Sequence, residues 1–261
     1  KCSDNFMKSG PLIFPLTLFL CSIIIAQVNT ELMRKENPDK RFSNILSLDL
    51  GYQTSQDKYF DVVFNGSSNY FLEDNFHAFL IIDYQSGYLS NNDENEIIIN
   101  SGFGHLRFTK KILKKTEFEL FFQAGFNNFI LIRDRKLFGS GLRRNIIKKD
   151  KIKSIFGFGF MQEREIYDLM ESPKKSLLRC TSYSTFTAHI SDNIVMNNIL
   201  YFQPAVKKVN DFRLLIDNEI QFKINEILST KLEINFRFDN EPHENSKKIY
   251  LQIYNGFEFN F

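Results

Sequence analysis

The sequence predicts an all-β protein, a closed antiparallel up-and-down barrel of about twelve strands, with ten as the alternative count. Three observations lead there. Apolar and polar residues alternate with a period of two over most of the chain from residue 44 onward. The composition favours strands, with 29 Phe against only 6 Pro, because aromatic side chains suit a pleated surface and Pro interrupts its hydrogen-bond ladder. The last residue, Phe261, is aromatic and in phase with the alternating segment before it.

In chain order, the first clear segment sets Leu46, Leu48, Leu50 and Tyr52 against Ser47, Asp49 and Gly51. Phe118, Leu120, Phe122, Ala124 and Phe126 then alternate with Glu117, Glu119, Phe121, Gln123 and Gly125. Phe156, Phe158 and Phe160 flank Gly157 and Gly159. Near the end, Phe212, Leu214 and Ile216 alternate with Arg213 and Asp217, and Ile220 and Phe222 with Glu219 and Gln221. Leu232, Ile234, Phe236 and Phe238 alternate with Lys231, Glu233, Asn235 and Arg237. Weaker segments at 58–65, 75–85, 96–108, 135–146, 177–189 and 194–203 fill the gaps. A strand turns successive side chains to opposite faces, so each segment has one apolar and one polar face. Segments of roughly 9 to 13 residues suit tilted strands that cross a bilayer. The barrel is therefore expected to be transmembrane. A mean hydropathy of −0.26 excludes a helical membrane protein and agrees with alternation.

The connections are expected to alternate in length. Tight turns fall at 191–193 and around Asn225-Glu226, with long polar loops at 86–95, 165–175, 204–211 and 239–248 on the opposite rim. That asymmetry, with periplasmic turns short and outer loops long, belongs to outer-membrane barrels. The stretches 66–74 and 109–116 read as long for turns, and 127–134 holds the apolar run Phe129 to Ile132.

The N-terminal residues 1–26 read as upstream sequence followed by a signal peptide. Met7 is the natural start, Lys8 supplies a positive charge, an apolar run spans Leu12 to Ile25, and Ala26 offers a small residue for cleavage. The run is short for a spanning helix. Leu20 before Cys21 argues against lipid attachment to that cysteine. Residues 27–43 read as a short periplasmic lead-in and residues 44–261 as the barrel. Of the three cysteines, Cys2, Cys21 and Cys180, only Cys180 remains after export, so no internal disulfide is expected. The expected location is the outer membrane of a Gram-negative cell, in contact with its lipids.

Charge excludes some functions. With 33 Lys plus Arg against 31 Asp plus Glu, there is no basic excess of the kind that binds nucleic acid. His77, His105, His189 and His243 form no close metal-ligand pair, and no phosphate loop or paired-cysteine motif occurs. No catalytic, cofactor or metal residue is assigned, and no cofactor is expected. On the last strands Arg213, Asp217, Glu219, Lys231, Glu233, Arg237 and Glu258 share the polar face. They are expected to line the lumen, because a midplane Lys or Arg facing lipid costs about 2–4 kcal/mol.

The final residues include Gly256, Phe257, Phe259 and Phe261, a Gly five positions before the end and aromatics at alternate positions after it. This pattern resembles the outer-membrane assembly signal, which implies recognition by the barrel-assembly machinery. Strand–turn–strand phrases such as His189-Ile190-Ser191-Asp192-Asn193-Ile194 and Lys223-Ile224-Asn225-Glu226-Ile227-Leu228 recur. With the Gly-rich central strands, the chain from residue 27 onward resembles the salt-induced outer-membrane protein family, an uncharacterised family of outer-membrane β-barrels. That resemblance implies a location and no mechanism. The lack of Trp departs from many barrels, whose interfacial girdles use it.

Four functional readings stand on the sequence. The first is a non-enzymatic integral barrel, either a structural envelope protein or a small-solute channel. The second is an outer-membrane lipid-modifying hydrolase with a rim active site, for which strand parity pairs His189 with Ser191 and excludes Ser182 and Ser184. The third is a surface receptor or adhesin acting through outer loops such as 239–248. The fourth is a soluble periplasmic barrel. The ligand and oligomeric state are not specified.

Overall fold

The computed structural model describes residues 31, 34, 41–54, 58–72, 75–91, 94–243 and 247–260. The expected signal peptide and Phe261 lie outside the described residues, as does most of the lead-in. Twelve strands follow one another: β1 (Phe42–Thr54), β2 (Lys58–Leu72), β3 (Phe76–Asn91), β4 (Glu94–Leu113), β5 (Thr116–Asn127), β6 (Ile132–Lys148), β7 (Ile152–Tyr167), β8 (Lys174–Ser191), β9 (Ile194–Pro204), β10 (Phe212–Lys223), β11 (Leu228–Asp239) and β12 (Ile249–Asn260). Each pairs antiparallel with its chain neighbours, and β12 closes on β1. Closure removes the open edges that would leave backbone donors and acceptors unpaired. The closing seam is short, with register from Ile45↔Asn260 to Asp49↔Gly256, whereas β1 and β2 pair from Phe42↔Tyr70 to Thr54↔Lys58.

Every strand contributes an exposed large apolar side chain to the outer surface. Leu46, Phe60, Leu80, Ile97, Phe122 and Phe138 represent the first six strands. Phe156, Leu178, Leu200, Phe222, Leu232 and Phe257 represent the rest. A soluble monomer rarely shows a contiguous apolar patch above a few hundred Å². Here the apolar surface runs around the whole circumference. Among the described residues no helix is long and apolar enough to cross a membrane. Tyr52 and Tyr88 stand among the exposed aromatics toward the long-loop end, both in register with Phe60.

At one end the strands are joined by short intervals: 73–75, 114–115, 149–151, 192–193 and 224–227. At the other they are joined by 55–57, 92–93, 128–131, 168–173, 205–211 and 240–248. The tight-turn end also carries the C-terminal end of β12, where Phe259 pairs with Leu228. Several expected loops are corrected. The stretch 86–95 is mostly strand, because β3 and β4 continue past a bulge at Gly87/Tyr88. Its Asn, Asp and Glu residues hide the alternation, and the bulge breaks its phase. Strands likewise absorb 66–72 and 109–113, which leaves a turn at Lys114-Lys115. The 165–175 loop shrinks to 168–173. In 127–134 the apolar run forms a 3-10 turn, Asn128–Ile130, capped by the Asn127 side chain, which accepts from the Phe129 and Ile130 amides.

Candidate functional site: the charged lumen

The inner wall carries buried charge on most strands, gathered into three groups. Near the long-loop end, Arg135 (β6), Glu163 and Glu165 (β7), Arg179 (β8), Arg213 (β10) and Asp239 (β11) form one network. Arg179 is fully buried. Its Nε donates to Glu163 at 2.6 Å and its Nη2 to Asp211 at 2.8 Å. Its Nη1 donates to the carbonyls of Gln203 and Asp211. Arg213 lies 2.5 Å from Glu163 and 3.0 Å from Glu165, and its Nε donates to Asp239 at 2.7 Å. Arg135 approaches the same two glutamates at 2.5 and 3.2 Å. Tyr167 donates its hydroxyl to Glu165 at 2.7 Å. Three planar guanidinium groups around two carboxylates satisfy most of the lone pairs that burial would otherwise leave stranded. Above the network, loops 205–211 and 240–248 meet. Lys208 pairs with Glu241, and Asn240 donates to the Asn210 carbonyl at 2.7 Å. Burial pushes the Asp211 carboxyl up in pKa, but hydrogen bonds from Lys175 and Arg179 outweigh it and hold the group below its ordinary value.

Toward the tight-turn end, Arg107 (β4), Glu117 and Glu119 (β5) and Arg143 (β6) face inward around two residues that precede β1. Arg34 binds Glu119 at 2.7 Å, Glu117 at 3.3 Å and the Thr109 hydroxyl at 3.0 Å. Glu31 binds Arg107 and lies 3.6 Å from Arg143. Tyr183 on β8 donates to Glu119 at 2.7 Å. The Arg107 guanidinium lies over the rings of Phe79 and Phe121, 5.6 and 5.3 Å from their centroids. Glu31 and Arg34 thus sit inside the barrel. Below them a mouth cavity of about 670 Å³ is lined by Arg34, Lys111, Lys114, Lys115 and Lys148, with Glu117 as its acid.

Between the two networks the lumen narrows to an internal cavity of about 50 Å³, bordered by His105, Met161, Tyr183, Tyr201 and Leu215 among others. Glycines make this filling possible. The Tyr183 ring lies over Gly157 and the Phe121 ring over Gly139, where any Cβ would collide with them. Bulky rings from one strand thus occupy space that side chains of the next leave empty.

The third group belongs to β1 and β10–β12. Lys231 bridges Asp49 at 3.2 Å and Glu233 at 3.3 Å. Arg237 pairs with Asp217. Glu219 accepts from Asn197 at 2.9 Å, and Glu258 accepts from Gln221 at 2.6 Å. Arg213 instead joins the long-loop network. Of the C-terminal residues, Phe257 and Phe259 point outward and Gly256 lies on the inner face. His189 and Ser191 are exposed at the tight-turn end, with a register shift between them. Ser191 Oγ accepts from the Asn193 amide at 3.4 Å, and no contact to His189 is made among the described residues. The structure therefore brings no Ser–His pair together on this strand.

Sequence reasoning missed Arg107, Glu119, Arg135, Arg143, Glu163, Glu165 and Arg179. All sit at inward positions of β4–β8, so the two-residue parity used for the last strands is the signal that finds them. Nothing local in the sequence marks Glu31 and Arg34 as lumen residues.

This combination defines a class: a β-barrel of the outer-membrane type, apolar outside and charged within. The chain belongs to a family of proteins of unknown function, DUF481, whose pattern matches residues 27–261. That family description names no activity, and the salt-induced name is not part of it. No curated protein sequence matches the chain. Among solved structures, it is similar to the translocator domain of the autotransporter NalP from Neisseria meningitidis. The TM-score is 0.50 at 10% identity, over 88% of this chain and 91% of that one. It is also similar to the NanC porin, with TM-score 0.47 and 7% identity over 84% and 97% of the two chains. At such identities the likeness is one of fold.

Proposed function

We propose that the protein is an integral outer-membrane barrel that acts as a gated small-solute channel, held shut by its own Glu31 and Arg34. The tight-turn end then faces the periplasm and the long loops face outward, as in other outer-membrane barrels. One observation carries this reading. The inner wall at the tight-turn end offers Arg107, Arg143, Glu117 and Glu119, and these are engaged by two residues that are not part of the wall. Ion pairs between side chains can part without opening the backbone ladder of the barrel. The basic mouth beneath it favours entry of anions.

Conductance across a planar bilayer tests the reading. The wild-type barrel is expected to open rarely. The double variant Glu31→Gln, Arg34→Gln removes both charges and is expected to raise the open fraction about tenfold or more, for a loss of at least about 1.4 kcal/mol of binding. A double variant as silent as wild type overturns the channel. The second reading, a structural envelope barrel, draws on the packed centre, where Tyr183, Ile199, Tyr201 and Leu215 form a buried cluster. In both readings the protein performs no covalent chemistry.

A further inference from the structure

The outer wall contains a furrow. On β4 and β5 the outward positions Gly104 and Ala124 are directly paired, and both are small. A Cβ added at Gly104 would meet nothing within 4 Å. Leu80, Leu106, Phe122 and Phe138 stand around this gap and leave a groove of about 480 Å³. The same register row continues from Ala124 to Lys136 on β6 and from Lys136 to Arg164 on β7. Both cations line the groove and face outward near the long-loop ends of their strands. Lys136 is 63% exposed, with Asp134 at 3.3 Å. Arg164 makes no ion pair among the described residues. Cations facing hydrocarbon are tolerated at the interface and not at the midplane, which sets their depth at the headgroups.

We propose that this groove binds a phosphorylated glycolipid of the outer leaflet, one acyl chain lying over Gly104 and Ala124 and a phosphate meeting Lys136 and Arg164. Two features favour this occupant over a free anion or another protein. The outward-facing lining is apolar on β3–β5, and its β6–β7 side carries the cations Lys136 and Arg164, with Gln162 beside them, groups that can pair with a phosphate. The site also lies at the end assigned to the cell exterior, where lipopolysaccharide forms the leaflet. The inference rests on the outer-membrane reading of the previous section.

The test uses the full barrel in a phosphate-free maltoside detergent, titrated with lipid A, with dephosphorylated lipid A and with phosphatidylglycerol. Binding is followed by native mass spectrometry. Lipid A is expected to bind most tightly. Lys136→Gln with Arg164→Gln is expected to weaken it about tenfold or more, the size of one charge-assisted hydrogen bond. Gly104→Leu fills the groove without touching the cations and is expected to weaken both forms of lipid A. Equal binding of the dephosphorylated form, a preference for phosphatidylglycerol, or unchanged binding in Gly104→Leu overturns the proposal. Folding is checked by the difference in gel mobility between unheated and heated samples, so loss of binding in an intact barrel is not confused with misfolding. Insertion into liposomes is scored separately. A barrel that fails to insert overturns the outer-membrane reading and this inference together, whereas one that inserts without the lipid preference overturns this inference alone.

Discussion

Asp49 and Lys231 meet at 3.2 Å across the intervening strand β12, directly over Gly256. Their strands do not touch. Gly256 is the register partner of Asp49 on one side and of Lys231 on the other. The pair therefore spans the closing seam, and it does so because Gly256 has no side chain. A Cβ there would collide with the Asp49 carboxylate and lie 2.9 Å from the Leu48 carbonyl.

Gly256→Val is accordingly expected to impair closure. The folded fraction, read from the mobility of unheated samples after refolding into detergent, should fall severalfold. Asp49→Asn keeps the shape and weakens only the ion pair, so it is expected to cost about 1–3 kcal/mol by urea unfolding. Equal stability of Gly256→Val and wild type contradicts the seam role.

Arg179 has four acceptors within hydrogen-bonding distance, on β7, on β9 and in the 205–211 loop. Arg179→Ala leaves Glu163 and Asp211 short of a cation and is expected to cost about 3–5 kcal/mol. The exposed Lys223→Ala should change stability by under about 0.5 kcal/mol. Urea unfolding of both variants in the same detergent provides the comparison.

Asn198 and Asn218 face outward, directly opposite on β9 and β10, and are hydrogen-bonded to each other. Replacing either one by Leu leaves an amide with no partner against the apolar wall and is expected to cost roughly 1 kcal/mol. The double variant removes both amides and should recover that loss. A double-mutant cycle in lipid bilayers measures the coupling, and strict additivity would contradict the contact.

The fold class was legible because its signal is local: alternation within each strand shows which face is apolar. The outward phase of Phe257 and Phe259 and the inward phase of Lys231 and Arg237 follow from that period alone. The partners were not legible. Arg213 meets Glu163 fifty positions away, a contact set by registers accumulated across several strands. The stretch 86–95 hid its strands because polar residues and a bulge break the phase. Gly256 was visible as part of a terminal pattern, but its role depends on two flanking strands that only closure brings together. Glu31 and Arg34 had no signature, since two isolated charges before the first strand show no period.

Everything rests on an outer wall that meets hydrocarbon and an inner wall that does not. Single cysteines at Ile199, Leu200, Tyr201 and Phe202 on β9, placed in a Cys180→Ser background and labelled with a fluorophore, test this most directly in liposomes. Leu200 and Phe202 are each 40% exposed, against 3% for Ile199 and 7% for Tyr201. A quencher confined to acyl chains should act strongly at 200 and 202 and weakly at 199 and 201. Quenching that is uniform along the four positions, or absent from all of them, would contradict the barrel's placement in the membrane.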